Sequence, residues 1–535
     1  MKRKKYVWII VSVILIISSA SVFFATRYLP AILHRTLKEK VSSLQEDGIY
    51  IQYDSLQLSL RDRTMSIDTI SIDIPKEKMS AEIYGCNVSS FNLLRLIFRK
   101  DIHLGAITAD IVKFSISKKK VKEPVAGEPV KRSDISIYIN TIAINKAFFR
   151  AGDSLSRDTM ALKSRINIEG LTINNTNEQQ PITVRTMDMD SLVLDFPFYI
   201  LAFGHLKLDK EHKRLNIDTL RIRPRFTKHE HAKRKRVEDD RFHGMITSFA
   251  MEGLNFATGD SVFVNASSVK FKLLLDVFRN KHYPFPKRDY MPLPVDALGK
   301  LPFDLNIDTV RLIDSRISYE EIGEEADSSG TIYFDKLKAG IFHISTDKTL
   351  PPAYLEASAS FMGRGKLIMT CQFSNTKEAA IVKGSLSNFP LARMNDMLGP
   401  QAKIQIESGT MLQLNFSFKF NDIRSDGAVD MSYKDLRIAS LRKDKDKDKA
   451  VRNNLLTLAI NTFVKDDAGR YVTGEKQTGV ILFYRDRKKA IFNYWWKSLF
   501  SGMKSSFALR TQQTDQATAE KNARKDVKKR KRKKE

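Results

Sequence analysis

Cysteine is nearly missing from this chain: 535 residues hold two, Cys86 and Cys371. Two thiols make neither a disulfide framework nor a tetrahedral metal site. A single bridge is compatible with an oxidising compartment, but sequence spacing does not show that the two meet. Acids are also short, with 62 Asp and Glu against 89 Lys and Arg, for a net charge of +27. Catalytic signatures are absent. There is no G-x-S-x-G elbow, P-loop, G-x-G-x-x-G, H-E-x-x-H or EF-hand loop, so the common routes to hydrolysis, nucleotide binding and metal catalysis have no motif here. The expectation is that the chain is not an enzyme and carries no cofactor.

His229, His231 and His243 are close in sequence, but they sit in a Lys/Arg-rich stretch that repels a divalent cation. Long apolar runs are missing as well, with one exception. Tyr6 to Ala25 is uncharged and mostly apolar, and it follows the basic start Met1 to Lys5. About 20 such residues cross a ~30 Å hydrocarbon layer as a helix. A cleaved signal peptide is the competing reading, with Ser18, Ser19 and Ala20 near a cleavage position. Val22, Phe23 and Phe24 carry the run past it, beyond a usual ~7–15 residue signal core. An uncleaved anchor over 6–26 is therefore expected, with residues 1–5 cytoplasmic by the basic-flank rule. Apolar residues at 3–4 residue spacing then give an amphipathic helix over 27–47.

What is present in quantity is alternation. From Gly48 to about Tyr484 the dominant period is two, as in Leu412, Leu414, Phe416, Phe418 and Phe420, interleaved with Gln413, Asn415, Ser417 and Lys419. Successive strand side chains point to opposite faces, so such a segment is apolar on one side and wet on the other. That pattern belongs to antiparallel-type sheets with one buried face. The string Ile67-Asp68-Thr69-Ile70-Ser71-Ile72 recurs at Ile217–Ile222 and Ile307–Leu312, more weakly at Ile139–Ile144 and Met189–Leu194. Its first, fourth and sixth positions are apolar, a parity slip that predicts a turn or bulge at the Asp-Thr pair. This gives Asp68, Asp218 and Asp308 a structural role.

Short helices are predicted at Phe91–Arg99, Lys272–Arg279, Leu391–Leu398, Val451–Phe463 and Ala490–Phe507. Solvated loops are predicted at Lys118–Arg132, Lys228–Arg241, Tyr283–Pro302 and Arg442–Lys449. The organisation that follows is a tail (1–5), an anchor (6–26), an amphipathic helix (27–47), a repeated strand body (48–388), a C-terminal region (389–507) and a basic tail (508–535). The last fifteen residues carry +8 of the net charge and leave +19 on the rest. So broad a surplus suits anionic lipid headgroups or nucleic acid, or serves general solubility alone. The tail has no interleaved aromatic residues to stack on bases, which argues against nucleic acid.

Several strings together resemble the AsmA-like family of envelope proteins, whose larger relatives include TamB and YhdP. They are the anchor, Arg27-Tyr28-Leu29-Pro30, Tyr53-Asp54-Ser55-Leu56, the stretch Phe389–Ile438 and the segment Phe492–Lys504. The resemblance implies a mainly β fold, a long curved gutter-like sheet with an apolar inner face and few helices. It also implies a body in the periplasm, anchored to the inner membrane, and phospholipid as the partner, with a further partner at the outer membrane. The physical pattern is compatible with this, because a sheet with one apolar face must close, pack against a layer or hold something apolar. Leu412, Leu414, Phe416, Phe418 and Phe420 are the groove candidates. Filling an ordinary sandwich core is the equally open reading. Lipid transfer or outer-membrane homeostasis is the first functional expectation, and an assembly factor for outer-membrane proteins acting through sheet edges is the second.

Overall fold

In the computed structural model, the described residues are 50–59, 62–75, 79–90, 101–116, 136–151, 160–174, 182–258, 262–287, 290–375, 379–402, 404–443, 450–452 and 477–507. The fold is mainly β. The first strands are β1 (Tyr50–Asp54), β2 (Gln57–Ser59), β3 (Thr64–Ile74), β4 (Met79–Ser89), β5 (Asp101–Ile116) and β6 (Ser136–Ala151). Next come β7 (Met160–Asn174), β8 (Ile182–Thr183), β9 (Thr186–Met189), β10 (Leu192–Asp195), β11 (Tyr199–Phe203) and β12 (Leu206–Asp209). After them come β13 (Arg214–Pro224), β14 (Asp240–Glu252), β15 (Asn255–Thr258), β16 (Val262–Asn280), β17 (Asp304–Ile322), β18 (Ser329–Ser345) and β19 (Tyr354–Phe361). The last are β20 (Gly365–Gln372), β21 (Ala380–Pro390), β22 (Ile404–Phe420), β23 (Arg424–Lys443), β24 (Ala450–Arg452) and β25 (Gln477–Tyr484). The described helices are α1 (Lys228–Lys235), α2 (Pro294–Leu298), α3 (Asn395–Ala402) and α4 (Ile491–Phe507).

The chain forms two compact units, Met1–Leu215 with Ala257–Ser261 and Asn216–Phe256 with Val262–Glu535. In the first, β3, β4 and β5 pair antiparallel in sequence order, β5 and β6 pair parallel, and β6, β7, β9 and β12 continue antiparallel. In the second, β14 and β16 pair antiparallel and β16 and β17 pair parallel. An antiparallel meander then runs from β17 through β23 to β25. The purely antiparallel expectation is thus corrected to a mixed sheet. An antiparallel join needs only a hairpin, whereas a parallel join needs a crossover of a dozen or more residues. The proline-rich stretch expected as a solvated loop, Tyr283–Pro302, lies in the second crossover, with α2 inside it.

The repeat has a defined geometry. In β3 the pairing with β4 passes from Ile67↔Cys86 to Thr69↔Tyr84 and skips Asp68 and Gly85. Gly85 has a left-handed φ of 62°. The same break sets Asn140 of β6 across from Gly170 (φ 63°) and Asp308 of β17 across from His343 (φ 58°). The register is kept across each break, so the expected bulge is not what causes the slip. A left-handed residue in the partner strand does it, at the conformational cost that glycine avoids. In β4 the less exposed positions run Met79, Ala81, Ile83 and then Cys86, Val88. The parity change keeps both apolar sets on one face.

Two further expectations are corrected. Lys272–Arg279, with three consecutive leucines, lies within strand β16 and is not a helix. Leu274 and Leu275 pair with both β14 and β17, and Leu273 with β14, and neighbours of this kind override local propensity. Lys228–Arg241 contains helix α1, not a loop alone. Thr227 caps it, and Glu230 reaches back to the Thr227 N–H in a reciprocal capping box. The Thr-x-x-Glu signal for that box was present in the sequence. By contrast, Leu391–Leu398 and Ala490–Phe507 are helical as expected, through a 3₁₀ turn (Leu391–Met394), α3 and α4. Val451 and Arg452 belong to β24, and 453–463 lie outside the described residues, as do 91–99 and 118–132. Cys86 and Cys371 are both free and buried.

Helix α1 also sets a pH dependence. His231 is 1% exposed, and burial pushes its imidazole down from 6.5 to about 4. The fold holds the ring neutral while the unfolded chain accepts a proton below about 6.5. Its contribution is therefore complete above that pH, is lost as pH falls toward 4, and is flat below. We expect wild type to lose up to about 3 kcal/mol of stability over that window relative to His231→Gln. Urea unfolding of both proteins across pH 4 to 7 checks this, and parallel curves would refute it.

Candidate functional site: an apolar face in register

Residues directly opposite on paired strands share a face, so the registers can be read as ladders. In the first unit one ladder runs Met65, Val88, Ile107, Ile142, Ile168, Met187 and Leu208 across seven strands without a polar member. A second, two residues along, runs Ala109, Ile144, Ile166, Met189 and Leu206. Between them, on the opposite face, lies the ladder Ser66, Asn87, Thr108, Ala143, Asn167, Asp188 and Lys207.

The wet face carries exposed cross-strand polar contacts. Glu82 meets Lys113 at 3.2 Å, Arg165 meets Asp190 at 3.2 Å, and Arg185 meets Glu169 at 3.5 Å. The Tyr84 hydroxyl and Lys113 hold the Glu82 carboxyl below its ordinary value. Asp190 stands in the second position of a repeat copy.

The apolar face is only half covered. Met65, Ile107, Ile142, Ile168 and Met187 remain partly exposed, while Val88 and Leu208 are buried. Among the described residues of this unit there is no helix to lie over them. Seven strands at ~4.8 Å make a ladder of roughly 30 Å.

The second unit carries a longer ladder with a different fate. It runs Met251, Val269, Val310, Ile341, Leu355, Cys371, Val382, Phe418, Gly427 and Ile481. Met251, Val310, Ile341 and Leu355 are half-buried, but from Cys371 onward the side chains are closed off, with Phe418 at 1% exposure. Burial pushes the Cys371 thiol up to about 12. At the β22 to β25 end the closure comes from α4. Tyr494 and Trp495 set their rings edge-on to Phe420 at 5.8 and 5.9 Å, and Gly502 lies against Ile481 and Val429.

This places the five groove candidates. Leu414, Phe416, Phe418 and Phe420 lie in the closed cluster at 1–6% exposure. Leu412 sits at a register shift of β22 and is half-buried. They form the covered end of the second unit's apolar face. The half-covered residues of the first unit were not singled out from sequence. The signal for them was the same alternation, but alternation does not say which residues line up across strands.

His229, His231 and His243 are not gathered. His229 packs its ring against Phe278, His231 is buried in α1, and His243 Nδ1 lies 3.9 Å from Asp276. Among the described residues no group of three or more His, Cys, Asp or Glu is placed to hold a metal ion. Also among the described residues, no helix is long and apolar enough to cross a membrane. The expected anchor (6–26), the amphipathic helix (27–47) and the basic tail (508–535) lie outside the described residues. No protein-family model, curated protein or solved structure matches this chain.

Proposed function

We propose that this is a membrane-anchored envelope protein that binds or conducts phospholipid along its apolar β face, and so contributes to lipid transfer or outer-membrane homeostasis. The observation that carries the reading is the first unit's unbroken apolar ladder, Met65 to Leu208, with no helix over it among the described residues. A contiguous apolar surface of this kind calls for an apolar occupant. The AsmA-like strings and the expected anchor at 6–26 point the same way. The partners are phospholipid and the inner membrane, with a further partner at the outer membrane.

The competing reading is an assembly factor that adds client strands to a sheet edge. At β25 the Val480 N–H already donates to Ser505 Oγ of α4 at 2.9 Å, which removes one donor an incoming strand would use. The test is site-specific photocrosslinking of the full chain in cells, with p-benzoyl-phenylalanine at Ile107 or Ile142 and, on the other face, at Thr108 or Asn167. Lipid adducts are expected at the first pair only. Equal labelling of both faces, or none at either, would sink the groove reading.

A further inference from the structure

Helix α4 has a second face that the closed core does not use. Tyr494, Trp495, Ser498 and Gly502 are buried against the sheet. Beside this buried side, at i, i+4 and i+8, stand Phe492, Trp496 and Phe500; Phe492 is 74% exposed and sets its ring edge-on to Trp495 at 5.9 Å. Trp496 and Phe500 stack with ring centroids 6.5 Å apart. Lys504 continues the same stripe, its Nζ 5.8 Å from the Phe500 ring. Lys497 lies beside it, and burial together with Lys281, Lys489 and Lys504 pushes its ammonium below the ordinary value. Lys489 thus adds to the positive potential on this side, while Lys281 is paired with Glu321 at 2.5 Å. The sequence beyond the helix adds +8 over the last fifteen residues.

From this geometry we propose that the outer face of α4 docks on an anionic phospholipid surface, with Phe492, Trp496 and Phe500 in the headgroup layer and the lysines on lipid phosphates. Exposed aromatic side chains at helical spacing, flanked by lysines, are what interfacial helices present to a bilayer. The lysine stems lie along the apolar layer while their heads reach the charge. Charge decides between occupants. A second copy would bring lysine clusters against lysine clusters, whereas anionic headgroups neutralise them. The proposal is independent of the apolar ladders, because it concerns exposed side chains of α4 that belong to neither of them.

The chain's three tryptophans are Trp8, Trp495 and Trp496. In a full-length Trp8→Phe, Trp495→Phe variant, Trp496 is the sole reporter. The protein, in dilute non-ionic detergent, is mixed with vesicles of acyl-brominated phosphatidylglycerol or, separately, acyl-brominated phosphatidylcholine. We expect quenching and a blue shift with the first and much weaker quenching with the second. Adding Phe492→Ser and Phe500→Ser should abolish the quenching without moving the melting transition. Lys497→Glu with Lys504→Glu should remove the preference for phosphatidylglycerol. Unchanged emission on adding phosphatidylglycerol vesicles would overturn the proposal, as would quenching that survives the serine pair. A concentration-dependent shift without vesicles would assign the face to a second copy and also overturn it. Lipid adducts at Ile142 report on the ladder alone, so the two readings can fail separately.

Discussion

Phe418→Ala is expected to destabilise the second unit by about 3–5 kcal/mol, the usual cost of removing a fully buried phenylalanine. The ring is 1% exposed and has little room to be replaced by collapse. It is paired with Val382 on one side and Gly427 on the other. A Cβ at Gly427 would crowd the Phe418 Cα and Cβ, so the sheet is already tight at that point. Phe420, its neighbour on the same face, is clamped by Tyr494 and Trp495. Leu412→Ala should cost clearly less, because Leu412 is only half-buried. Urea unfolding followed through tryptophan fluorescence in a Trp8→Phe, Trp496→Phe background, where Trp495 alone reports, measures both. A Phe418→Ala protein with wild-type stability would mean that this face lines an open groove and is not packed.

Gly479→Val is expected to lift α4 from the sheet. Gly479 of β25 faces Gly502 of α4, and a Cβ at Gly479 would overlap the Gly502 carbonyl oxygen. A backbone atom cannot swing aside as a side chain does, so the whole helix must move. Overpacking alone costs about 1–3 kcal/mol. Here the shift also uncovers Tyr494 and Trp495, so a loss of about 3 kcal/mol or more is expected. The expected readouts are a red-shifted Trp495 emission and a weaker near-ultraviolet dichroism. Gly502→Val should behave alike, since its Cβ would press on Ile481 and Val429. If either variant kept native emission and stability, the glycine contact would not be what seats the helix.

The two variants also separate local from long-range information. Alternation from Leu412 to Phe420 marked one apolar face, and β22 shows it, with Leu414, Phe416, Phe418 and Phe420 all on the buried side. Whether the Phe420 end of that face is open or covered depends on α4, about seventy residues later in the sequence. The helix itself was legible from its apolar spacing, but its seat on Gly479 was not, because two glycines far apart carry no pattern. Helix α1 shows the opposite failure. Its capping signal, Thr227 with Glu230, is local, but the Lys/Arg-rich stretch around it carries no apolar periodicity to mark a helix.

Sequence alone determined that the chain is mainly β, that each strand has one apolar and one wet side, and that a repeated Asp/Asn position breaks the alternation. These are properties of neighbours along the chain, since strand periodicity is set by the pleat. Only the tertiary structure decided the register, the two parallel joins and which stretch of apolar face is closed. Register slips by one residue exchange the faces of a whole strand, and the energy that fixes them comes from partners remote in sequence. Ile107 meets Ile142, and Leu355 meets Cys371, because packing one apolar face selects those pairings among many that local pattern allows equally.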